Sequence, residues 1–243
     1  MIWTGLMRGV LTPDRRNREE LIDGTDVSGD DLCQSFADIR RINRFLGGIS
    51  VIRRELDRLV SPLESCSLLD LGTGTADIPL FLIQRARSRG GYIRVTALDA
   101  SEKIVQLASQ QAQGDPDIEL VTGDASKLPF ADKSFDFVTC SLTFHHLTDA
   151  VAIKTLREMH RVARVALIVN DLQRGYVPTA LIWLVTRLTM MHRLTRHDGP
   201  LSVMRSRTLA EYRDLAAYAG FSQAVIRGHP FWRASLVVSK GAA

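Results

Sequence analysis

An α/β fold, a doubly wound parallel sheet with helices on both faces, is predicted by three features of the 243-residue chain. Strand-like apolar runs and helical stretches alternate between residues 66 and 170, the pattern of linked βαβ units. The first such run enters a glycine-rich turn, Gly72-Thr73-Gly74. Aspartates stand at the ends of the first three strands: Asp70, Asp99 and Asp124. In such a sheet a ligand sits outside the carboxyl ends of the strands, beside the first strand. The turns after strands one to four are therefore where functional residues are expected.

Each element follows from local pattern. Residues 1–30 are polar and broken by Pro13, Gly24 and Gly29, which predicts an irregular arm. Ser28 to Asp31 has the character of a helix start. Leu32, Phe36, Ile39, Ile42, Phe45 and Leu46 recur at helical spacing until Gly47-Gly48. A second helix is expected over 49–60, stopping at Ser61-Pro62. Residues 67–71 read as a strand, 76–89 as a helix ended by Gly90-Gly91, and 92–98 as a strand. A helix over 101–113 is capped by Ser101. Strands follow at 118–121 and 135–140, a helix at 149–162 and a buried strand at 165–169. Beyond these, 179–190 reads as a helix, 192–206 as a charged loop and 208–219 as a helix. Residues 224–227 and 235–239 read as closing strands. The organisation is an N-terminal arm and helical cap (1–62) before a domain over 63–243, with an acceptor-side helix and loop at 176–207.

Composition narrows the class. Apolar residues make up 45% and charged residues 24%, which excludes a wholly disordered chain. The net charge of +4 is unevenly spread: zero over 1–62, −3 over 63–171 and +7 over 172–243. A uniformly basic nucleic-acid binder is thereby disfavoured. Cys33, Cys66 and Cys140 are far apart and lack metal-ligand spacing, so buried thiols in a reducing cytosol are expected and no metal is implied. The N-terminus lacks the pattern of a secretory signal, and no run reaches the length of a membrane span.

The strand-end turns carry the chemistry. Gly72 and Gly74 permit close backbone approach by a ligand. A dinucleotide fingerprint would place a small residue at 77, where this chain has Asp77, whose charge repels a pyrophosphate. No Gly-Lys-Ser/Thr follows, which excludes a P-loop. The two oxygens of Asp99 suit a ribose diol, and Asp124 can accept from an exocyclic amine such as that of adenine. Three acidic turns favour a neutral or cationic cofactor over a phosphorylated one.

In order, Leu69-Asp70-Leu71-Gly72-Thr73-Gly74-Thr75, Leu98-Asp99-Ala100-Ser101, Gly123-Asp124-Ala125, Ser134 to Val138 and Ser141 to Leu147 resemble the motifs of class I S-adenosylmethionine-dependent methyltransferases. The likeness covers about residues 66–170. It implies a seven-stranded, mostly parallel, Rossmann-like sheet of order 3-2-1-4-5-7-6. It also implies S-adenosyl-L-methionine as cofactor and S-adenosyl-L-homocysteine as product. In the implied roles, Gly72 to Gly74, including Thr73, pass under the methionine portion. Asp99 and Ala100 border the ribose, and Asp124 and Ala125 the adenine. Ser141 flanks the methionine side, and Asp70 organises the turn. The segment Arg41 to Gly48 is similar to the cap of ubiquinone/menaquinone-type methyltransferases. The segments His197 to Val203 and Tyr212 to Phe221 resemble bacterial methyltransferases that accompany polyketide synthases making phenolic lipids.

These flanks imply a small aromatic or phenolic-lipid acceptor, O-methylated, with C-methylation of a quinol-like ring as the alternative. A non-catalytic cofactor-binding partner protein is a third reading, opposed by the intact Gly72, Gly74, Asp99 and Asp124. Nucleic acid is not an expected partner. Candidate bases are His145 and His197, the latter beside Asp198. His145 and His197 are weighed against structural roles, as is His146 against capping or packing. Candidate acceptor contacts are His146, Trp183, Met191 and His192. The basic tail, including Arg193, Arg196, Arg205 and Arg207, suits an anionic phenolate or the face of an anionic membrane; a solvated arginine-rich surface is the plainer alternative.

Overall fold

The computed structural model describes residues 12–24, 26–59 and 65–240. Its helices are α1 (Gly29–Phe45), α2 (Gly48–Leu59), α3 (Asp77–Ser88), α4 (Glu102–Ala112), α5 (Asp149–Val162), α6 (Tyr176–Leu188), α7 (Arg193–Arg205) and α8 (Leu209–Ala219). Its strands are β1 (Cys66–Leu71), β2 (Ile93–Asp99), β3 (Ile118–Thr122), β4 (Phe135–Ser141), β5 (Ala163–Leu172), β6 (Val225–His229) and β7 (Arg233–Ser239). One seven-stranded sheet runs β3-β2-β1-β4-β5-β7-β6, as the resemblance implies. The first five strands are parallel, and β7 runs antiparallel to both β5 and β6. The expected stop at Ser61-Pro62, the division at 62/63 and the chain before Thr12 lie outside the described residues.

The period-2 pleat sends neighbouring residues of a strand to opposite faces. Leu69 and Leu71 of β1 pack with Leu156 and Met159 of α5 and Leu215 of α8. Leu68, one residue away, packs on the other face with Ile52 and Leu56 of α2 and Leu82 and Ile83 of α3. The second helix of the cap thus belongs to the core of the sheet. Helix starts carry the caps that their sequences advertise. Ser28 accepts from Asp31 N at 3.1 Å, and Thr208 forms a reciprocal box with Glu211.

Residues 192–206, expected to be a charged loop, are mostly helix α7. Polarity and the Gly199-Pro200 pair hide this helix in the sequence. It is enclosed by neighbours on several sides, so its apolar residues do not fall on one stripe: Leu194, Leu201, Val203 and Met204 are buried alongside Thr195, Asp198 and Arg205. Helix α6 begins at Tyr176, three residues before the expected start.

Much of the basic tail is consumed inside the molecule. Arg207 is 2% exposed and donates to Phe144 O, Leu147 O and the Asp149 carboxylate. Arg174 binds Glu211, Arg227 binds Glu55, and Arg193 binds Asp31. Part of the +7 surplus is therefore structural cement that joins the C-terminal third to the β4–α5 turn and the cap, while Arg193, Arg196 and Arg213 stay exposed. Replacing Arg207 by Ala leaves the buried Phe144 carbonyl without its donor. The expected loss is about 2 kcal/mol, read from the urea midpoint at unchanged m-value.

Candidate active site

Four crossover turns meet at the carboxyl edge of the sheet. Gly72 (φ +63°) and Gly74 (φ +57°) hold the β1–α3 turn in left-handed conformations. A Cβ on Gly72 would lie 2.2 Å from Thr143 Oγ1, beyond the end of β4, so this turn and the β4 turn close on each other with no room for a side chain. Asp99, at the end of β2, fastens the same turn: its Oδ2 accepts from Gly74 N at 3.0 Å and its Oδ1 from Ser101 N at 3.1 Å. Asp124 accepts from the backbone N–H and hydroxyl of Ser126 at 2.7 and 3.0 Å. Asp70 is fully enclosed and takes the Thr139 hydroxyl at 2.6 Å. Burial, with Asp77 and Asp99 nearby, pushes its carboxyl up to about 7.

These residues line one side of a cavity of about 870 Å³. The other side is built from the arm, α1, α6 and α7. Pro178, Leu181, Ile182 and Val185 form an i, i+3, i+4, i+7 stripe of α6 that faces the cavity. Asp198 of α7 holds the arm in place by accepting from Leu21 N and Ile22 N at 2.8 and 2.9 Å. That docking carries Glu20 and Asp23 to the cavity wall. His145 is buried: Asp171 accepts from its backbone N–H at 2.9 Å and bonds its Nδ1 at 2.7 Å. Although burial raises the Asp171 carboxyl, His145 outweighs it and holds Asp171 below the usual carboxylate range. The rings of His145 and His146 lie 4.3 Å apart, with His146 Nδ1 on Asp23 Oδ2 at 3.0 Å.

Comparison with known proteins agrees with this geometry. A family model described as a methyltransferase domain matches residues 68–165. The demethylmenaquinone methyltransferase of Staphylococcus epidermidis is 35% identical over 114 residues, covering 47% of this chain and 45% of that protein. A SAM-dependent methyltransferase from Aquifex aeolicus superposes with a TM-score of 0.60 at 18% identity, over 88% of this chain and 99% of that one. Magnesium protoporphyrin IX methyltransferase from Synechocystis, solved with bound SAM, gives 0.56 at 18% identity over 90% and 100%. Residues 68–165 thus match a methyltransferase domain, and the sheet has the fold of enzymes that use S-adenosylmethionine. The chain spans about half the length of the curated relatives it matches.

The donor set of the methyltransferase domain fits that cofactor. Asp70, Asp99 and Asp124 face no cation within ion-pair range among the described residues, so this wall suits a sulfonium rather than a phosphate. Asp70, Gly72, Thr73, Gly74, Asp99, Ala100, Asp124, Ala125 and Ser141 all line the same cavity, as do His145 and His146. Trp183, Met191, His192 and His197 do not. Trp183 stands on the outer face of α6, 48% exposed beneath the Arg187 guanidinium at 4.1 Å. Met191 is buried away from the cavity. His192 caps α7 and meets Asp31 at 3.0 Å, and His197 turns its ring onto Asp198 at 2.7 Å, on the wall of a separate, smaller pocket. One helical turn explains the Trp183 result: at about 100° per residue, position 183 points off the 178/182/185 stripe.

Several residues of the site carry no linear signal. Asp171 ends β5, where extending the strand-end rule by one strand would have found it. Glu20 and Asp23 come from the polar arm, and Arg205 from the unrecognised helix. The enclosure of Asp70 has a measurable consequence. Its folded value is raised from 3.8, so the folded state holds the extra proton. The stability this supplies is fully present below about pH 4 and is lost as pH rises through about 7. Relative to the wild type, Asp70→Asn is expected to gain thermal stability between pH 5 and 8 and to show no such gain near pH 3.5. An equal shift at all these values would contradict the assignment.

Proposed function

We propose that the chain methylates a small apolar aromatic acceptor that carries a ring hydroxyl, with a phenolic polyketide or phenolic lipid methylated on oxygen as the leading class. One observation carries this reading. A single cavity joins the carboxylate-lined strand ends to an apolar wall, and that wall finishes in a polar cluster. When bound, S-adenosylmethionine supplies an already electrophilic methyl group on its sulfonium. Gly72 to Gly74, Asp99, Ala100, Asp124, Ala125 and Ser141 would hold it.

The remaining work of the chain is positional. The reacting oxygen must be held in line and water kept out. Phe36 and Ile39 of α1 and the Leu181/Ile182/Val185 stripe of α6 would clamp the ring between apolar surfaces. Glu20, His145 and His146 give a strongly polar corner of the acceptor side, suited to the hydroxyl. Leu181, Phe231 and Trp232 line the cavity and remain 43%, 53% and 40% exposed, which suits an acceptor whose lipid tail leaves along this rim.

C-methylation of a quinol-like ring is the second reading, favoured by the relatives that act on demethylmenaquinone. Incubation with S-adenosylmethionine and a panel of alkylresorcinols, other phenolic lipids and quinols, followed by NMR of the product, separates the two. The expected product carries a methoxy group. A new ring-carbon methyl would instead establish the second reading. No transfer to any member by a protein that binds the cofactor would remove both.

A further inference from the structure

The polar corner of the cavity holds three electron-pair donors aimed at one another. His145 spends Nδ1 on Asp171 Oδ1 at 2.7 Å, and His146 spends Nδ1 on Asp23 Oδ2 at 3.0 Å. An ionised carboxylate only accepts, so each neutral ring keeps its proton on Nδ1 and presents a bare Nε2. Both bare nitrogens face Glu20: His145 Nε2 is 3.6 Å from Oε1 and His146 Nε2 is 3.9 Å from Oε2. Glu20 is 6% exposed, and its Oε1 is buried without a hydrogen-bond partner. Arg205 Nη1 stands at 3.7 Å from Oε1 and likewise makes no hydrogen bond.

Lone pairs converging at this corner of the cavity, which the Arg205 guanidinium approaches without a hydrogen bond, leave a place for a cation between them. Protons are one candidate, but an imidazolium N–H facing a carboxylate contracts to about 2.7–2.9 Å, and these gaps are nearly 1 Å longer. They are closer to the spacing of metal ligands. Bonds of about 2.0–2.2 Å arranged tetrahedrally set ligand atoms about 3.3–3.6 Å apart. One oxygen or nitrogen from each of Glu20, His145 and His146 already lies within 4.8 Å of the others. The surroundings match as well: ligating histidines commonly donate the far ring nitrogen to a carboxylate, as both do here.

We propose that Glu20, His145 and His146 form a binding site for one divalent transition-metal ion of zinc type, with its remaining position open to the cavity. Two imidazoles and one carboxylate are a donor set that suits zinc and keeps a fourth position for an exogenous oxygen. Asp198 helps bring Glu20 to the site by pinning the arm through Leu21 N and Ile22 N, so the site belongs to the docked arrangement of the arm. That the open position would take the acceptor's hydroxyl oxygen rests on the methyl-transfer reading above; the metal site itself does not.

The test is a calorimetric titration of Zn²⁺, and of Co²⁺ with its visible absorption, into the 243-residue chain stripped by chelator at pH 7.5. One ion per chain is expected. Glu20→Gln and His146→Gln should each weaken binding by about 100-fold or more, and Asp171→Asn by about 10–100-fold, the range for a residue that orients a ligand. His160→Gln, away from the corner, should leave it unchanged. S-adenosylhomocysteine titrated into the same samples reports a folded cofactor side independently. No saturable metal binding by protein that still binds S-adenosylhomocysteine overturns the metal site and leaves the methyl-transfer reading standing. Equal binding by wild type, Glu20→Gln and His146→Gln also overturns it. Metal binding without S-adenosylhomocysteine binding would do the reverse.

Discussion

The close approach of two strand-end turns governs this molecule. With no side chain at position 72, the β1–α3 turn and the β4 turn shut against each other at Gly72 and Thr143, where a Cβ would stand 2.2 Å from a hydroxyl oxygen. The contact fixes three things together. It sets the exit of β1, it places the Gly74 amide on the Asp99 carboxylate, and it starts the β4–α5 segment that carries His145 and His146. The carboxylates gathered there have no cationic partners among the described residues, and Asp70 is enclosed so tightly that its proton is held to about pH 7. A wall of that charge and shape accepts a neutral or cationic ligand and disfavours phosphates, which is how the same edge of sheet departs from a dinucleotide site.

Opposite this wall, the enclosure is completed by segments distant in sequence. The arm is held by Asp198 and by Arg15, which donates to Leu147 O and Asp149. The buried tail arginines do the corresponding work from the other end of the chain, with Arg207 on the β4–α5 turn and Arg233 on Leu46 O. Burying so many guanidiniums is costly unless each finds partners, and most of these find backbone carbonyls or carboxylates. The return is a rigid junction at which the first and last parts of the chain shape one cavity. No helix among the described residues is long and apolar enough to cross a membrane, and the apolar rim lies at the cavity mouth instead.

The parts of the site that follow one another along βα turns were legible in the sequence. Gly72, Asp99 and Asp124 are readable because a parallel sheet puts every strand end on one edge, so order in sequence becomes nearness in space. The order of the mostly parallel sheet agrees with the family resemblance. The acceptor side was not legible. Helix α7 has no apolar stripe because neighbours enclose it on more than one side, so it read as a loop. Trp183 looked like a pocket wall by composition, yet helical geometry turns it outward. Glu20 sits in a stretch with no periodicity at all, and long-range bonds such as those of Asp198 to two backbone amides and of Arg15 to the β4–α5 turn bring it to His145. The +7 tail read as surface charge because a sequence does not reveal which arginines will find buried carbonyls.

The closed Gly72 turn and its carboxylates are built to take S-adenosylmethionine. The most direct measurement is calorimetric titration of S-adenosylhomocysteine into the wild type and Gly72→Ala, with thermal melts to confirm that both are folded. Saturable binding by the wild type, abolished or weakened by at least about 100-fold in folded Gly72→Ala, is the predicted result. Absence of binding by folded wild-type protein, or equal affinity in the variant, would contradict the account.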